Sequence, residues 1–322
     1  MIGSARDEPR FVRGLFSPAA LLVALAIDQW IGEPPARVHP VVGVGRSISA
    51  LERRAPEGPR REFVYGTAVA AGATFLPAVA VRSAVGAIRP WPLRLVAEAL
   101  LLKTCFAYRA LEEAGLSVAE PLTAGDLPAA REKLRALVSR DRTNLDESQI
   151  AAATIESLAE NLGDGFAAPL LAYALGGLPA AVFYRAANTA DSMLGYRGRY
   201  EYLGKASARL DDVLNLAPAR LTAVALVAAS GPKASRTCRT LVRGRRLTQS
   251  PNAGWTISAV AGALGVALEK PGHYRINEGA RDPDAQDIIA ALRLCRRAAI
   301  LCVAAVLTVT LLRGAFGGEK NQ

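Results

Sequence analysis

The amino-acid sequence predicts an all-α, polytopic membrane protein with broken or re-entrant helices and a polar site on its cytoplasmic side. Three observations lead there. Of 322 residues, 51% are apolar and the mean hydropathy is +0.19, an apolar excess for which a bilayer is the simplest home. Five charge-free runs recur along the chain: Gly14–Ile27, Phe63–Val81, Phe166–Tyr184, Ala253–Leu268 and Ala298–Leu312. Polar residues of one chemical kind, carboxylates and amides, are concentrated in the middle third.

A helix needs about 20 apolar residues to cross the hydrocarbon core. Any one shorter run reads most simply as a buried core helix, but five in one basic chain make that reading poor. Arg10 and Arg13 before Gly14–Ile27, with Ala24-Leu25-Ala26 following, have the outline of a secretory signal. Retention is expected, because later apolar runs argue for membrane residence and Asp28 opens a motif. Cations flank this run on both sides, so it reads as re-entrant as readily as spanning. Val213–Ser230 is a weaker span, interrupted by Arg220. Pro90–Val118 is apolar but carries Arg94, Glu98, Lys103 and Arg109, which turn it toward protein or water.

The whole chain, 1–322, reads as one integral membrane domain with a soluble helical insertion over 119–148. In that insertion Asp126 is an N-cap with Pro128 in the first turn. Leu127, Ala130, Leu134, Leu137 and Val138 form the apolar face. A second helix is expected from Asn144, with Glu147 as its capping-box partner. Lys233–Arg246 holds six cations and is assigned to the cytoplasm, mostly as a face snorkelling on anionic lipid.

Lys and Arg number 39 against 29 Asp and Glu, a net charge of +10. Nucleic acid is disfavoured as the partner, because the cations interrupt apolar runs and only 6% of residues are aromatic. Anionic lipid or an anionic substrate remains. Cys105, Cys238, Cys295 and Cys302 have no zinc spacing and imply no disulfide framework.

The polar site region spans 139–220. Three blocks pair an Asn and an Asp three residues apart: Asn161/Asp164, Asn188/Asp191 and Asp212/Asn215. Residues three or four apart share a helix face. Glu156, Glu160 and Asp164 also fall on one stripe, and Asp211 adjoins Asp212. Carboxylate and amide oxygens suit Mg²⁺, a hard cation that keeps room for water and phosphate. Arg140, Arg142, Arg185, Lys205, Arg209 and Arg220 are interleaved with them as phosphate contacts. Singly, each block reads as a helix cap; three beside membrane-grade segments point to function.

Two of the blocks flank Phe166–Tyr184. A straight crossing would put them on opposite sides of the membrane. Gly176-Gly177-Leu178-Pro179 lies mid-run, and this predicts a break that returns the chain to the same face. Elsewhere, Gly32–Pro40 is a rigid loop containing His39, read either as a general base or as a structural hydrogen-bonding residue. Asn252, in Ser250-Pro251-Asn252-Ala253-Gly254, is an N-cap or a site residue. There is no P-loop, Rossmann fingerprint or nucleophile elbow.

In these motifs the chain resembles the adenosylcobinamide-phosphate synthase family of cobalamin biosynthesis. The resemblance rests on Asp28–Pro40 with its His-Pro-Val, Glu156–Gly165, Asn188–Gly195, Arg209–Arg220 and Ser250–Gly254. A divergent branch linked to β-lactamase regulation lacks this full set. The resemblance implies an integral membrane ligase. It joins the f-propionate carboxylate of adenosylcobyric acid, a corrinoid, to (R)-1-amino-2-propanol O-phosphate or the free amino alcohol, driven by ATP. Asp164, Asp191, Asp211 and Asp212, helped by Asn161 and Asn188, are then expected to hold Mg²⁺–ATP. Arg140, Arg142, Lys205 and Arg209 are expected to hold phosphates, with Asn252 beside the cofactor. Glu160 or His39 is expected to deprotonate the attacking ammonium.

Two other readings stand beside this one. A Mg²⁺-dependent membrane prenyltransferase shares the metal logic. A transporter shares the broken helices, but no inverted repeat is visible in the sequence. A homo-oligomer is compatible with either the ligase or its alternatives.

Overall fold

The computed structural model describes residues 17–138, 142–195 and 200–317, with side chains to residue 312. The fold is all-α as predicted, apart from one small hairpin. In order the elements are α1 (Pro18–Trp30), α2 (Pro40–Glu52), α3 (Pro59–Gly86), α4 (Trp91–Lys103), α5 (Tyr108–Thr123), α6 (Leu127–Leu134) and α7 (Glu147–Asn161). A π-helical turn (Leu162–Ala167) leads into α8 (Ala168–Leu194). Then come α9 (Lys205–Leu214), α10 (Leu216–Ala229), α11 (Ala234–Gly244), α12 (Ala253–Leu264), the antiparallel β1 (Leu268–Lys270) and β2 (Tyr274–Ile276), and α13 (Ala285–Gly317).

Among the described residues, three stretches are long and apolar enough to cross a membrane: Pro59–Gly86, Glu147–Leu194 and Ala285–Leu312. The pair α9/α10, which breaks at Asn215, makes a fourth if taken as one span. Large apolar side chains stand outward on the first and third of these, among them Phe75, Leu76 and Val79 on α3 and Ile300 and Leu311 on α13. Lipid covers such a surface at no cost, whereas water would not. The chain is a polytopic helical membrane protein.

Two expected runs end short. Ala253–Leu268 stops as a helix at Leu264, because Gly265 takes a left-handed conformation (φ 79°) and closes it before β1. Most of α12 is buried, the ordinary core-helix alternative. Pro90–Val118 divides at Thr104–Ala107 into α4 and α5.

The insertion folds as expected at its start, where Asp126 Oδ1 accepts from the Ala129 amide at 3.0 Å. The next helix begins two residues later than predicted. Asp146 is its N-cap, and Gln149 completes the capping box by accepting from the Asp146 amide at 3.0 Å. Glu147, the expected box partner, sits in the first turn, where its charge favours the helix N-terminus.

The described chain forms two compact units that interleave in sequence. One comprises 1–107, 168–214 and 304–322, and the other 108–167 and 215–303. In the first, α8 packs on α2, α3, α4 and α9. Ile48, Val69, Ala190, Leu194 and Leu203 form an apolar cluster there, and Phe75 meets Phe183 edge-on at 5.0 Å. In the second, α12 packs on α7, α10 and α11, and α5 packs on α6 and α7.

Of the hairpin predicted in the middle of 166–184, the structure shows the break, as a kink within α8, which continues to Leu194. Gly177 adopts φ 71° and ψ −166°, outside helical geometry, with Pro179 two residues on. A straight helix over the 48 residues from Glu147 to Leu194 would run about 72 Å, more than twice the roughly 30 Å hydrocarbon core. The segment before the break engages α1 and α4 through Tyr173; the one after it engages α3 through Phe183. Because a side chain at this φ is strained, Gly177→Ala is expected to cost about 1–3 kcal/mol. The measurement is the unfolding midpoint of detergent-solubilised protein. An unchanged midpoint would mean that the kink is not enforced by Gly177.

Candidate active site

The first unit contains three linked polar groups. The deepest ties three helices together. Tyr173 Oη accepts from the Ser17 amide at 2.7 Å and lies 2.9 Å from the Ser17 carbonyl and 2.5 Å from Glu98 Oε1. A phenol has one hydrogen for those two acceptors. A proton on Glu98 resolves the shortage by donating to Tyr173, which then donates to Ser17. Burial accordingly pushes Glu98 up to about 7 from its ordinary 4.5, against the Tyr173 hydrogen bond, Arg94 and the Ser17 backbone. Between those two values the folded protein keeps a proton that the unfolded chain has released. Stability is therefore expected to be fullest below about pH 4.5 for this group, to fall up to about pH 7 and then to level. Glu98→Gln should flatten that part of the pH–stability curve; an unchanged slope would assign it to other groups.

The second group is built on Lys103, the last residue of α4. Its ammonium lies 3.0 Å from Asp28 Oδ1, bonds Glu33 Oε1, and donates to the Phe106 carbonyl at 3.1 Å. The Glu33 and Phe106 contacts are hydrogen bonds, and the Asp28 contact is an ion pair. Lys103 and Asp28 are 2% and 3% exposed. Glu33 Oε2 also meets His39 Nε2 at 3.0 Å. His39 Nδ1 accepts from the Val41 amide at 3.2 Å, which caps α2. The proton must then reside on Nε2 and be given to Glu33. Both nitrogens of His39 are thus committed, which favours the structural role over that of general base.

The third group lies where α8 faces α9. Asn188 Nδ2 donates to Asp211 Oδ1 at 3.2 Å, and Arg185 Nη1 donates to Asn188 Oδ1 at 3.3 Å. Asp211 and Asp212 both act repulsively on Asp191. Four expected residues, Asn188, Asp191, Asp211 and Asp212, are therefore brought together. In this orientation Asn188 positions Asp211. Lys205 and Arg209 stand exposed on the same α9, with Lys205 Nζ 6.0 Å from the Tyr202 ring centre. The second and third groups flank Cys105, whose thiol feels both Arg185 and Lys103; burial nevertheless pushes it up to about 12.

The remaining expected residues belong to the second unit. Glu160 and Asn161 end α7, and Asp164 lies in the π turn, a geometry frequent at functional sites. Asn161 Nδ2 donates to the carbonyl and hydroxyl oxygens of Ser157 at 3.0 and 3.2 Å, and Ser157 donates on to the Leu137 carbonyl. Arg142 donates to the Val138 carbonyl at 3.3 Å. Asn252 is 5% exposed and accepts from Arg220 at 3.1 Å. Ser250, not Asn252, makes the cap-like contacts to the amides of Asn252 and Ala253. Arg140 falls outside the described residues.

The donor chemistry of Asp191, Asp211 and Asp212 fits a hard divalent cation. All are oxygen ligands on two facing helices, and their mutual repulsion calls for positive charge. Among the described residues no three His, Cys, Asp or Glu side chains form a ready-made metal-binding group, so these carboxylates would have to close on their ion.

Comparison with known proteins decides what family this arrangement belongs to. A protein-family profile described as CobD/Cbib protein matches residues 21–295. The chain belongs to the CobD/Cbib family. A "Cobalamin biosynthesis protein CobD" of Dehalococcoides mccartyi is 40% identical over 291 residues, 88% of this chain and 94% of that protein. The same name is carried by a Rhodobacter capsulatus protein, 41% identical over 296 residues (87% and 93%). It is also carried by one of Klebsiella pneumoniae, 39% identical over 303 residues (88% and 95%). No solved structure matches the chain. Membership in the CobD/Cbib family makes this a protein of cobalamin biosynthesis, and its matched region includes all three polar groups of the first unit beyond Ser17.

Sequence reasoning had placed Arg185 among the phosphate contacts but had not placed Lys103, Asp28 or Glu33 in the ligand sets. A signal for Lys103 was available: a motif that gathers Asp28 and Glu33 in an apolar chain requires a cation nearby.

Proposed function

We propose that the protein is an ATP-dependent amide ligase. It joins the f-propionate carboxylate of adenosylcobyric acid to (R)-1-amino-2-propanol O-phosphate and gives adenosylcobinamide phosphate. The observation that carries the reading is the Asp191–Asp211–Asp212 group with Asn188 and Arg185, in a chain of the CobD/Cbib family.

Amide formation from a carboxylate needs an activated acyl group. A carboxylate oxygen of the corrinoid attacks the γ-phosphorus of ATP, and ADP leaves with the electrons of the broken P–O bond. The amine nitrogen then attacks the acyl carbon of the acyl phosphate, and inorganic phosphate departs. The ammonium has first given one proton to a base. Both steps are governed by positioning and charge neutralisation. Asp191, Asp211 and Asp212 would hold Mg²⁺, which when bound neutralises phosphate charge. Asn188 and Arg185 orient Asp211 for this. Lys205 and Arg209 stand on the same helix to receive phosphate oxygens. Asn161 and Asp164 are kept as a further oxygen pair, and Arg140, Arg142 and Asn252 as phosphate or cofactor contacts. Glu160 is the base, since the ring nitrogens of His39 are occupied. The polar site opens to the cytoplasm, where ATP is found.

The product mass tests the choice of amine. Offered both amines, the enzyme should form the phosphorylated amide in excess. A product containing only free amino alcohol would reassign the substrate.

A further inference from the structure

The second unit contains a basic pocket that the residues above do not explain. It is a cavity of about 350 Å³ lined by Arg220, Arg245, Arg246, Thr248, Ser250 and Trp255. That is near the small end of the roughly 300–1,000 Å³ typical of small-molecule sites. Among the described residues no Asp or Glu lines it. Three guanidinium groups line it together, and a bound anion would relieve their repulsion.

The arginines are held in defined places. Arg220 Nη1 donates to the Leu216 carbonyl at 2.6 Å and to Asn252 Oδ1 at 3.1 Å, with its guanidinium carbon 4.7 Å from the Trp255 ring centre. The Arg245 guanidinium carbon lies 5.3 Å from the same ring. Gly254 permits this approach: a Cβ there would stand 2.6 Å from the Arg245 carbonyl oxygen and 2.9 Å from Thr248 Oγ1. Guanidinium groups set against an indole present their edge donors in fixed planes, the geometry for two-point contact with an oxyanion. Ser250 and Thr248 add hydroxyl groups, and the start of α12 adds the positive end of a helix dipole. The lining therefore offers cationic and hydroxyl donors together.

We propose that this pocket binds the phosphate group of a small soluble organophosphate. Only the identity of that compound, the amino-alcohol phosphate, rests on the ligase reading; the phosphate chemistry rests on the pocket.

The test uses the purified full chain in zwitterionic detergent, titrated with inorganic phosphate and followed by calorimetry and tryptophan fluorescence. Saturable binding is expected, weakened roughly tenfold or more in Arg245→Gln and in Arg220→Gln. Arg245→Lys should recover only part, since it restores charge without the fork. Trp255→Phe should abolish most of the fluorescence change while calorimetry still detects binding. If Arg220→Gln or Arg245→Gln lowers the unfolding midpoint, Arg246→Gln, an exposed position, carries the test. Equal binding by wild type and all the Arg variants, or no binding, would overturn the proposal. So would Arg-dependent binding seen only with phosphatidylglycerol vesicles and not with phosphate, which would make the ligand a lipid headgroup. Failure of the ligase reading would look different. Phosphate would still bind in an Arg-dependent way, but the amino-alcohol phosphate would bind no more tightly than inorganic phosphate.

Discussion

Lys103→Met is expected to destabilise the protein by about 3–5 kcal/mol, the range for removing one partner of a buried ion pair. The size follows from three facts. Lys103 and Asp28 are almost wholly buried. The ammonium donates to Glu33 and the Phe106 carbonyl and forms an ion pair with Asp28. Without the ammonium, the buried Asp28 carboxylate would lose its ion-pair partner. A methionine of similar length fills the space, so the loss reads charge and not volume. Lys103→Arg should not rescue fully, because a planar, bulkier fork does not fit a buried site that holds a compact ammonium. Adding Asp28→Asn and Glu33→Gln to Lys103→Met should recover much of the loss, since neutral replacement of a buried ion pair is often tolerated. Denaturation of detergent-solubilised protein measures all three. A loss below about 1 kcal/mol in the single variant would place these charges in contact with water, as in exposed pairs.

Asp191→Ala should have the opposite profile. Ligation is expected to fall by about 100-fold or more, since loss of a neighbour that merely orients a ligand already costs roughly 10–100-fold. Stability should hold or rise slightly, because the substitution removes one of three mutually repelling carboxylates. Asn188→Ala should give the smaller, orienting loss, since it releases Asp211 and Arg185 together. Activity that falls while stability does not is the signature of a group kept for function at some expense to the fold. A folded Asp191→Ala variant with near-normal ligation would remove the carboxylate from the site.

Much of this was legible in the sequence because it depended on local chemistry. Apolar run length marked α3 and α13 as spans. Gly176-Gly177-Leu178-Pro179 located the break in α8, since no other residue accepts φ 71° without strain. Asp126 announced α6. Spacing was less informative where two elements had to meet. The Asn–Asp blocks were visible as one face each, but that Asn188 reaches Asp211, 23 residues away, depends on how α8 packs against α9. Lys103 was hidden for the same reason. It read as a charge that kept Pro90–Val118 from spanning, whereas its partners lie 70 or more residues back, Asp28 near the end of α1 and Glu33 in the loop after it. The Lys233–Arg246 run shows the limit of composition. Arg236 in that run donates to the carbonyls of Gly262 and Ala263 at 2.9 Å, closing the C-terminal end of α12 instead of facing lipid.

The central claim is that one carboxylate oxygen of the corrinoid leaves with phosphate as the amide forms. It is tested by incubating purified protein with Mg²⁺, ATP, (R)-1-amino-2-propanol O-phosphate and adenosylcobyric acid labelled with ¹⁸O in the f-propionate. Mass spectrometry should find the amide product and one labelled oxygen in the released inorganic phosphate. Amide product with unlabelled phosphate would contradict the acyl-phosphate route, and no ATP-dependent amide at all would contradict the ligase assignment itself.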